Sequence, residues 1–389
     1  MPDAANDTLH DERIHGLDVL RAAAMMLGIY LHGAISFMVS EVPWAMKDPR
    51  QSILFDISVA AIHGFRMQLF FVLAGFFANL VHRRIGMGPF LQRRALRIGV
   101  PFIVGLFTLL PLTFAAWFWG EHVSGQRTDQ PVVGTPTSLL DYPTAHLWFL
   151  QYLLFFYLIA AVSVRLPLRT FSNRVIALIP GLLRSRSKIL LLMLLTTPFL
   201  ITGPQVGEPE SPGISLRMTW NAIGYYGAFF WFGWMMFHAR SALDEFKRFP
   251  ILHLAVGLIS FLCYGAVVEE LTRNPDATGW QTKLFGNVAV GIYTWAMIFL
   301  VTGLTLRWFS RPTRWAQYWA DASYWFYLVH LPLVVTFQVI VFKWNLNSFA
   351  KCAFVCGASI AVLWLTYHWC VRYTFIGTLL NGCRARPLI

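Results

Sequence analysis

The first apolar stretch of the chain carries three ionisable residues, Asp18, Arg21 and His32. On an α-helix, the separation of Arg21 from His32 amounts to three turns plus about 20°, so both side chains lie on one face, about 16 Å apart along the axis. Asp18 precedes Arg21 by three residues and shares that face. Histidine can remove a proton near neutral pH, and arginine can bind an anion. The spacing fits a polar channel along one helix, and it fits equally well an Asp18–Arg21 pair beside a packing histidine.

A second polar stripe lies in the next apolar stretch, residues 54–81. Asp56 and His63 are two helical turns apart, and Arg66 follows almost one turn later. A charged side chain this deep in a membrane is costly, so Arg66 needs an anionic partner or ligand. An anionic ligand beside Arg66 is one interpretation of this stripe. The alternative is an internal ion pair that fixes helix packing.

The segment after this stretch is rich in arginine. Guanidinium groups bind phosphate oxygens through paired hydrogen bonds, so several of them around one short loop could hold a polyphosphate. The same residues could instead serve only to orient a membrane protein, because arginine and lysine accumulate on the cytoplasmic side. The residues are Arg83, Arg84, Arg93, Arg94 and Arg97.

The composition places both stripes in a membrane. Of the 389 residues, 57% are hydrophobic and 13% are charged, compared with about 45–50% and about 25% in a soluble domain. This excludes an ordinary soluble enzyme, because too little polar surface remains to cover the apolar side chains. Stretches of roughly 20 apolar residues can cross a bilayer. They predict an all-α, polytopic membrane protein of about ten transmembrane helices around a polar channel, with spans at 17–38, 54–81, 97–119, 145–165, 188–203, 219–238, 250–270, 284–307, 321–342 and 350–377.

The positions of the basic residues indicate the orientation. If both termini are cytoplasmic, the inner segments contain 20 of the 31 lysines and arginines, the outer segments contain 8, and 3 lie within spans. This bias predicts cytoplasmic termini and accounts for the net charge of +12 without a nucleic-acid partner. The 5 cysteines show no CxxC spacing and are interpreted as packing residues, so neither a metal site nor a disulfide framework is predicted.

The sequence predicts one membrane domain, residues 17–380, between a cytoplasmic N-terminal tail, 1–16, and a cytoplasmic C-terminal tail, 381–389. The N-terminal tail is acidic rather than basic, and no small-residue cleavage site follows the first apolar stretch. That stretch is therefore expected to be a retained span rather than a signal peptide. The lipid bilayer is the predicted partner, and the oligomeric state stays open, a homo-oligomer included.

Five segments in a fixed order carry a family resemblance across most of the chain. Residues 16–22 followed by His32 match an Arg-x10-His signature, and residues 70–77 match an FFxLSGFF segment with Ala74 where serine is common. The other segments are 93–98 leading to Pro101 and Phe102, 146–150, and 322–330. Together they resemble the integral-membrane acyltransferase 3 family.

The resemblance implies acyl transfer from cytoplasmic acyl-CoA to a hydroxyl, usually of a glycan, on the far side of the membrane. A sugar hydroxyl is a poor nucleophile, which suits His32 as catalytic base or as transient acyl carrier. CoA is a polyanion, which suits Arg21 at its phosphates, with Asp18 as the ion-pair partner of this arginine. The implied donor site consists of Arg21, Arg93, Arg94 and Arg97, and the implied substrate site consists of Asp56, His63, Arg66 and Trp148.

Two shorter segments resemble one branch of that family. Pro43-Trp44 and residues 63–67 are similar to the glucan biosynthesis protein C branch, which is linked to succinylation of periplasmic glucans. The resemblance therefore implies acetyl or succinyl transfer in a bacterial inner membrane. A transporter or flippase for a glycan or lipid-linked substrate is the main alternative, because many spans with polar groups at the midplane also fit that class. A binding or assembly subunit without catalysis is the third.

Overall fold

The computed structural model describes residues 14–126, 138–166, 169–209, 215–274, 279–311 and 313–382. Most of both predicted tails, residues 1–13 and 383–389, lies outside the described residues. Within the described ranges, the secondary structure is helical apart from one isolated β-bridge between Gln205 and Glu208. The prediction of an all-α protein is confirmed.

The described residues form fourteen α-helices, joined by short 3-10 and π-helical segments. They are α1 (His15–Ala34), α2 (Ile53–Ile85), α3 (Met87–Arg94), α4 (Val100–Phe107), α5 (Leu109–Ser124), α6 (Trp148–Arg165), α7 (Arg169–Arg184), α8 (Lys188–Ile201), α9 (Trp220–Met236), α10 (Pro250–Arg273), α11 (Trp280–Trp308), α12 (Arg314–Val341), α13 (Ser348–Thr366) and α14 (Phe375–Asn381).

Eight helical segments among the described residues are long and apolar enough to cross a membrane. They coincide with eight of the predicted spans, so the chain is a multi-pass membrane protein. The other two predicted spans, 188–203 and 219–238, correspond to α8 with 14 residues and α9 with 17. A 14-residue helix is about 21 Å long, shorter than the ~30 Å hydrocarbon core. α8 is therefore too short to cross the core by itself.

Polar side chains connect the central helices. α1 lies beside α12, where Arg21 Nη2 donates a hydrogen bond to the Ala320 carbonyl at 3.0 Å. α2 lies beside α11, where the Tyr293 hydroxyl donates to the Ala61 carbonyl at 2.6 Å. Lipid offers no hydrogen-bond partner, so these groups have to be satisfied within the protein. Helices α1, α2, α11 and α12 consequently surround a polar interior.

The non-helical segment 38–52 joins α1 to α2 and is held by a buried ion pair. Lys351 on α13 contacts Asp48 with 2.6 Å between Nζ and Oδ2, and the two side chains are 2% and 1% exposed. Lys351 also donates to the Phe342 carbonyl at 3.0 Å, and Asp48 accepts from the Arg50 backbone N–H at 2.9 Å. These additional hydrogen bonds offset the cost of removing both charges from water. The segment is thereby fixed against α13.

Candidate functional site

One cavity of about 2080 Å³ brings the two polar stripes together. Arg21 and His32 of α1 line it, and so does Arg66 of α2. The lining extends from Arg94, beyond the last residue of α2, to Asp56 in the first turn of that helix. The cavity therefore follows most of the length of α2 inside the helix bundle.

Arginines line the cavity near the end of α2. Arg21 Nη2 lies 3.5 Å from Asp18 Oδ1, and Asp18 itself is buried and does not belong to the lining. The Arg94 guanidinium lies 5.2 Å from the ring centres of both Phe90 and Tyr157. Aromatic faces attract a cation without neutralising its charge. Arg94 thus keeps a positive charge at the cavity wall.

The predicted arginine cluster is only partly assembled. Arg97 lines the cavity together with Arg21 and Arg94, and its backbone carbonyl accepts a hydrogen bond from Tyr324 at 2.7 Å. Arg93 is exposed and lies outside the lining. Successive residues on a helix point about 100° apart, so Arg93 and Arg94 do not face the same side. The structure brings three of the four predicted donor-site arginines to the cavity. Arg93 is instead exposed on the surface of the protein.

His32 is held by ring packing. Its ring stacks on Trp44 at 5.8 Å with an 11° interplanar angle, and the His330 ring lies 5.2 Å away. The Gln338 amide donates to the carbonyls of His32 and Gly33 at 2.9 and 3.1 Å, and it accepts from Trp44 Nε1 at 2.9 Å. Nδ1 of His32 is buried without a hydrogen-bond partner among the described residues. The orienting carboxylate that often accompanies a catalytic histidine is thus replaced here by a stacked indole.

Two further histidines approach His32. Nδ1 of His330 lies 3.1 and 2.8 Å from the carbonyls of Phe326 and Tyr327, and Nε2 of His146 lies 2.9 Å from the Leu328 carbonyl. A carbonyl only accepts, so these nitrogens carry the ring protons. The remaining nitrogens, Nε2 of His330 and Nδ1 of His146, are buried without a partner in the described part of the chain. They are the acceptor sites of the neutral rings.

Arg66 lines the cavity without a counter-ion among the described residues. The residue is 6% exposed, and within the described ranges its side chain forms neither a hydrogen bond nor an ion pair. It reaches α1 at Gly28, one turn before His32, where the Cβ of any larger residue would lie 2.0 Å from Arg66 Nη1. Only a glycine leaves room for the guanidinium there. A buried cation in this state is expected to receive an anionic or carbonyl oxygen of a ligand.

His63 has a partner that the sequence did not indicate. Its Nε2 lies 3.0 Å from Oε1 of Glu208, in the turn after α8. Both side chains also line the cavity. An internal pair that fixes helix packing was the alternative for this stripe, and His63, not Arg66, forms an internal pair.

The last two predicted substrate residues line the cavity in different ways. Both carboxylate oxygens of Asp56 accept backbone N–H groups, from Val39 at 2.8 Å and Ser40 at 2.9 Å. Asp56 thus fixes the start of segment 38–52. Trp148 packs on the Tyr226 ring at 5.1 Å and presents an aromatic wall to the cavity. Its position is compatible with packing against a substrate.

Comparison with known proteins identifies the fold around this cavity. The family model described as acyltransferase domain matches residues 14–368. The chain belongs to the acyltransferase 3 family. It is 25% identical to glucans biosynthesis protein C of Escherichia coli O157:H7 and 24% identical to that of Escherichia coli strain K12, in each case over 95% of both chains. No solved structure matches it.

In this acyltransferase, we expect Gly28→Ala to reduce acyl transfer about 10- to 100-fold without unfolding, because the methyl group must displace the Arg66 guanidinium while the arginine side chain can move aside. The initial transfer rate of the purified variant measures the effect. Gly357→Ala is the matched control, since open space surrounds that position. The double variant with Arg66→Ala should lose no more than Arg66→Ala alone. If the losses of the two single variants add in the double variant, Gly28→Ala does not act through Arg66.

Some site residues of this acyltransferase carry a signal in the sequence and one does not. His146 and His330 lie in two of the segments that resemble the family, and Trp44 lies in a third. Trp44 and His330 contact His32, and His146 contacts His330, and these contacts depend on how the helices pack. Glu208 lies in a short non-helical turn without any periodic pattern, so nothing in the sequence points to it.

Proposed function

We propose that this acyltransferase moves an acetyl or succinyl group from cytoplasmic acyl-CoA to a hydroxyl of an extracytoplasmic glycan. One observation carries the proposal: a single cavity contains three arginines near one end of α2, and His32 and Arg66 further along it. The similarity to proteins named glucans biosynthesis protein C supports a glucan as the acceptor.

The proposal includes a bacterial inner membrane with both termini in the cytoplasm. The excess of lysine and arginine on the segments assigned to the inner side supports this orientation. In that orientation, Arg21, Arg94 and Arg97 face the cytoplasm, where acyl-CoA is available. Asp56 and Glu208 then lie towards the acceptor side.

The arginines are suited to the phosphates of CoA. Each guanidinium can form two parallel hydrogen bonds with a phosphate, and Nε of Arg94 is buried without a partner among the described residues. With CoA held there, its acyl thioester is directed into the cavity towards His32. Arg66 is placed to bind the carbonyl oxygen, or the free carboxylate if the acyl group is succinyl.

His32 is the residue we assign to the transfer. In one route it removes the proton of the acceptor hydroxyl, which then attacks the thioester carbon directly. In the other route its ring nitrogen attacks first and carries the acyl group to the acceptor. In both, Arg66 stabilises the negative charge that develops on the carbonyl oxygen.

A direct assay tests the proposal. Purified protein in lipid nanodiscs is incubated with labelled acetyl-CoA or succinyl-CoA and a glucan. We expect ester-linked label on the glucan with at least one donor. No labelled glucan with either donor would contradict the proposal, and movement of unmodified glucan across sealed vesicles would favour the transporter alternative.

We also expect Arg94→Ala to weaken CoA binding about 10- to 100-fold, because a charge-assisted hydrogen bond contributes about 1.5–3 kcal/mol. Isothermal titration of the solubilised protein with CoA measures the dissociation constant. Arg93→Ala is the matched control, since the neighbouring arginine lies outside the cavity. Equal weakening in both variants would indicate that general positive charge, and not the cavity, attracts CoA.

A further inference from the structure

The turn after α8 is built to hold one carboxylate inside the cavity. Gly207 has φ +89°, a conformation that suits glycine, and its backbone N–H donates to Asn287 Oδ1 at 2.8 Å. A Cβ on Gly207 would lie 2.8 Å from the Tyr264 ring. The Asn287 side chain thereby satisfies a buried backbone donor of this turn. The construction places Glu208 against His63.

The resulting pair leaves one ring nitrogen available. Nε2 of His63 donates to Glu208 Oε1 at 3.0 Å, so Nδ1 is the acceptor nitrogen of the neutral ring. Among the described residues, no hydrogen bond to this Nδ1 is formed, and the side chain is 44% exposed in a residue that lines the cavity. A histidine oriented by a carboxylate with its second nitrogen facing a substrate space is the usual arrangement of a general base.

We propose that His63 is the general base that takes the proton of the acceptor hydroxyl, and that Glu208 positions it. The assignment rests on the proposed function and refines it. Among the described residues, His32 has no carboxylate partner and His63 has one, so the two histidines are suited to different steps. His63 is the base, and His32 is the acyl carrier.

Atoms and charges balance over the two steps. A ring nitrogen of His32 attacks the thioester carbon, the carbon–sulfur bond breaks, and CoA leaves as a thiolate. The acceptor oxygen then attacks the acyl carbon while its proton moves to Nδ1 of His63. The carbon–nitrogen bond to His32 breaks, and His32 recovers its electron pair. His63 then releases this proton to water, and the CoA thiolate takes up one proton from water. The two proton transfers cancel, so no other reactant is needed.

Replacing the glucan acceptor by hydroxylamine shows whether His63 and Glu208 act in proton removal or only stabilise the structure. Hydroxylamine attacks acyl groups at neutral pH without prior removal of a proton, so it bypasses a general base. It also reacts with acyl-CoA directly, so the rate without protein is subtracted and only protein-dependent hydroxamate formation is compared. We expect Glu208→Gln and His63→Gln to lower glucan acylation about 10- to 100-fold, and hydroxamate formation from the same acyl-CoA should stay within about twofold of the unmodified protein. Glu41→Gln is the control, because Glu41 lines the cavity without contacting His63.

The outcomes are distinguishable. Unchanged glucan acylation in both variants would overturn the role of the pair, and so would an equal loss with both acceptors, since that indicates a structural defect. His63→Gln gives the answer if Glu208→Gln does not fold. If the unmodified protein acylates neither acceptor, the proposed function itself fails, and the role of this pair fails with it.

Discussion

Replacing His32 by alanine is expected to lower acyl transfer by about 10³-fold or more, with CoA binding unchanged. The imidazole is the group assigned to the acyl carbon, and removal of such a group typically costs several orders of magnitude. Arg21, one of the arginines proposed to bind CoA, lies about 16 Å away along α1, and Arg94 and Arg97 lie on other segments, so CoA binding should not respond. Transfer of labelled acyl groups and CoA titration, carried out on the same preparation, measure the two quantities.

The control for this variant is His122→Ala, an exposed histidine outside the cavity lining. Addition of free imidazole should restore part of the lost activity of His32→Ala, because the vacated space lies against the flat face of Trp44. Transfer at more than about a tenth of the normal rate in His32→Ala would exclude this residue as the reacting group.

Replacing Lys351 by methionine is expected to destabilise the protein by about 3–5 kcal/mol, because it leaves the Asp48 carboxylate buried without its counter-ion. The loss should appear as a lower midpoint in thermal or denaturant unfolding of the solubilised protein. Transfer activity should fall as well, since segment 38–52 carries Trp44, which stacks on His32.

The double variant Asp48→Asn with Lys351→Met tests the cause. It removes both charges, so most of the lost stability should return. Lys343→Met, at an exposed position before α13, is the matched control and should change stability by less than about 0.5 kcal/mol. A loss below about 1 kcal/mol in Lys351→Met would show that the ion pair does not fix the segment.

Helical periodicity is sufficient to place Arg21 and His32 on one face, because a face depends only on the residues of one helix. Arg66, which the second stripe places deep in the membrane, is buried and lines the cavity. Periodicity does not show which helices are neighbours. His330 reaches His32 through the packing of α12 on α1, and His146, just before α6, contacts His330, so both contacts depend on the whole bundle.

Two differences between the site predicted from the sequence and the observed site have simpler physical causes. Arg93 and Arg94 look alike in the sequence, but their directions on the helix differ by about 100°, and the way α3 packs decides which one faces the cavity. Glu208 is placed by a turn whose shape depends on Gly207 and on the contact with Asn287. A turn of this kind has no repeat from which a side-chain direction can be read.

The shared cavity also affects the electrical properties of the membrane. Its lining reaches from Arg94 to Asp56, and water filling this space would leave a thinner insulating layer than pure lipid. A transmembrane voltage falls mainly across the least conducting layer, and each 100 mV is worth about 2.3 kcal/mol per elementary charge. Arg66 lies on α2 between these two ends of the cavity. The rate of a step that moves charge past this residue would therefore depend on the membrane potential of the cell.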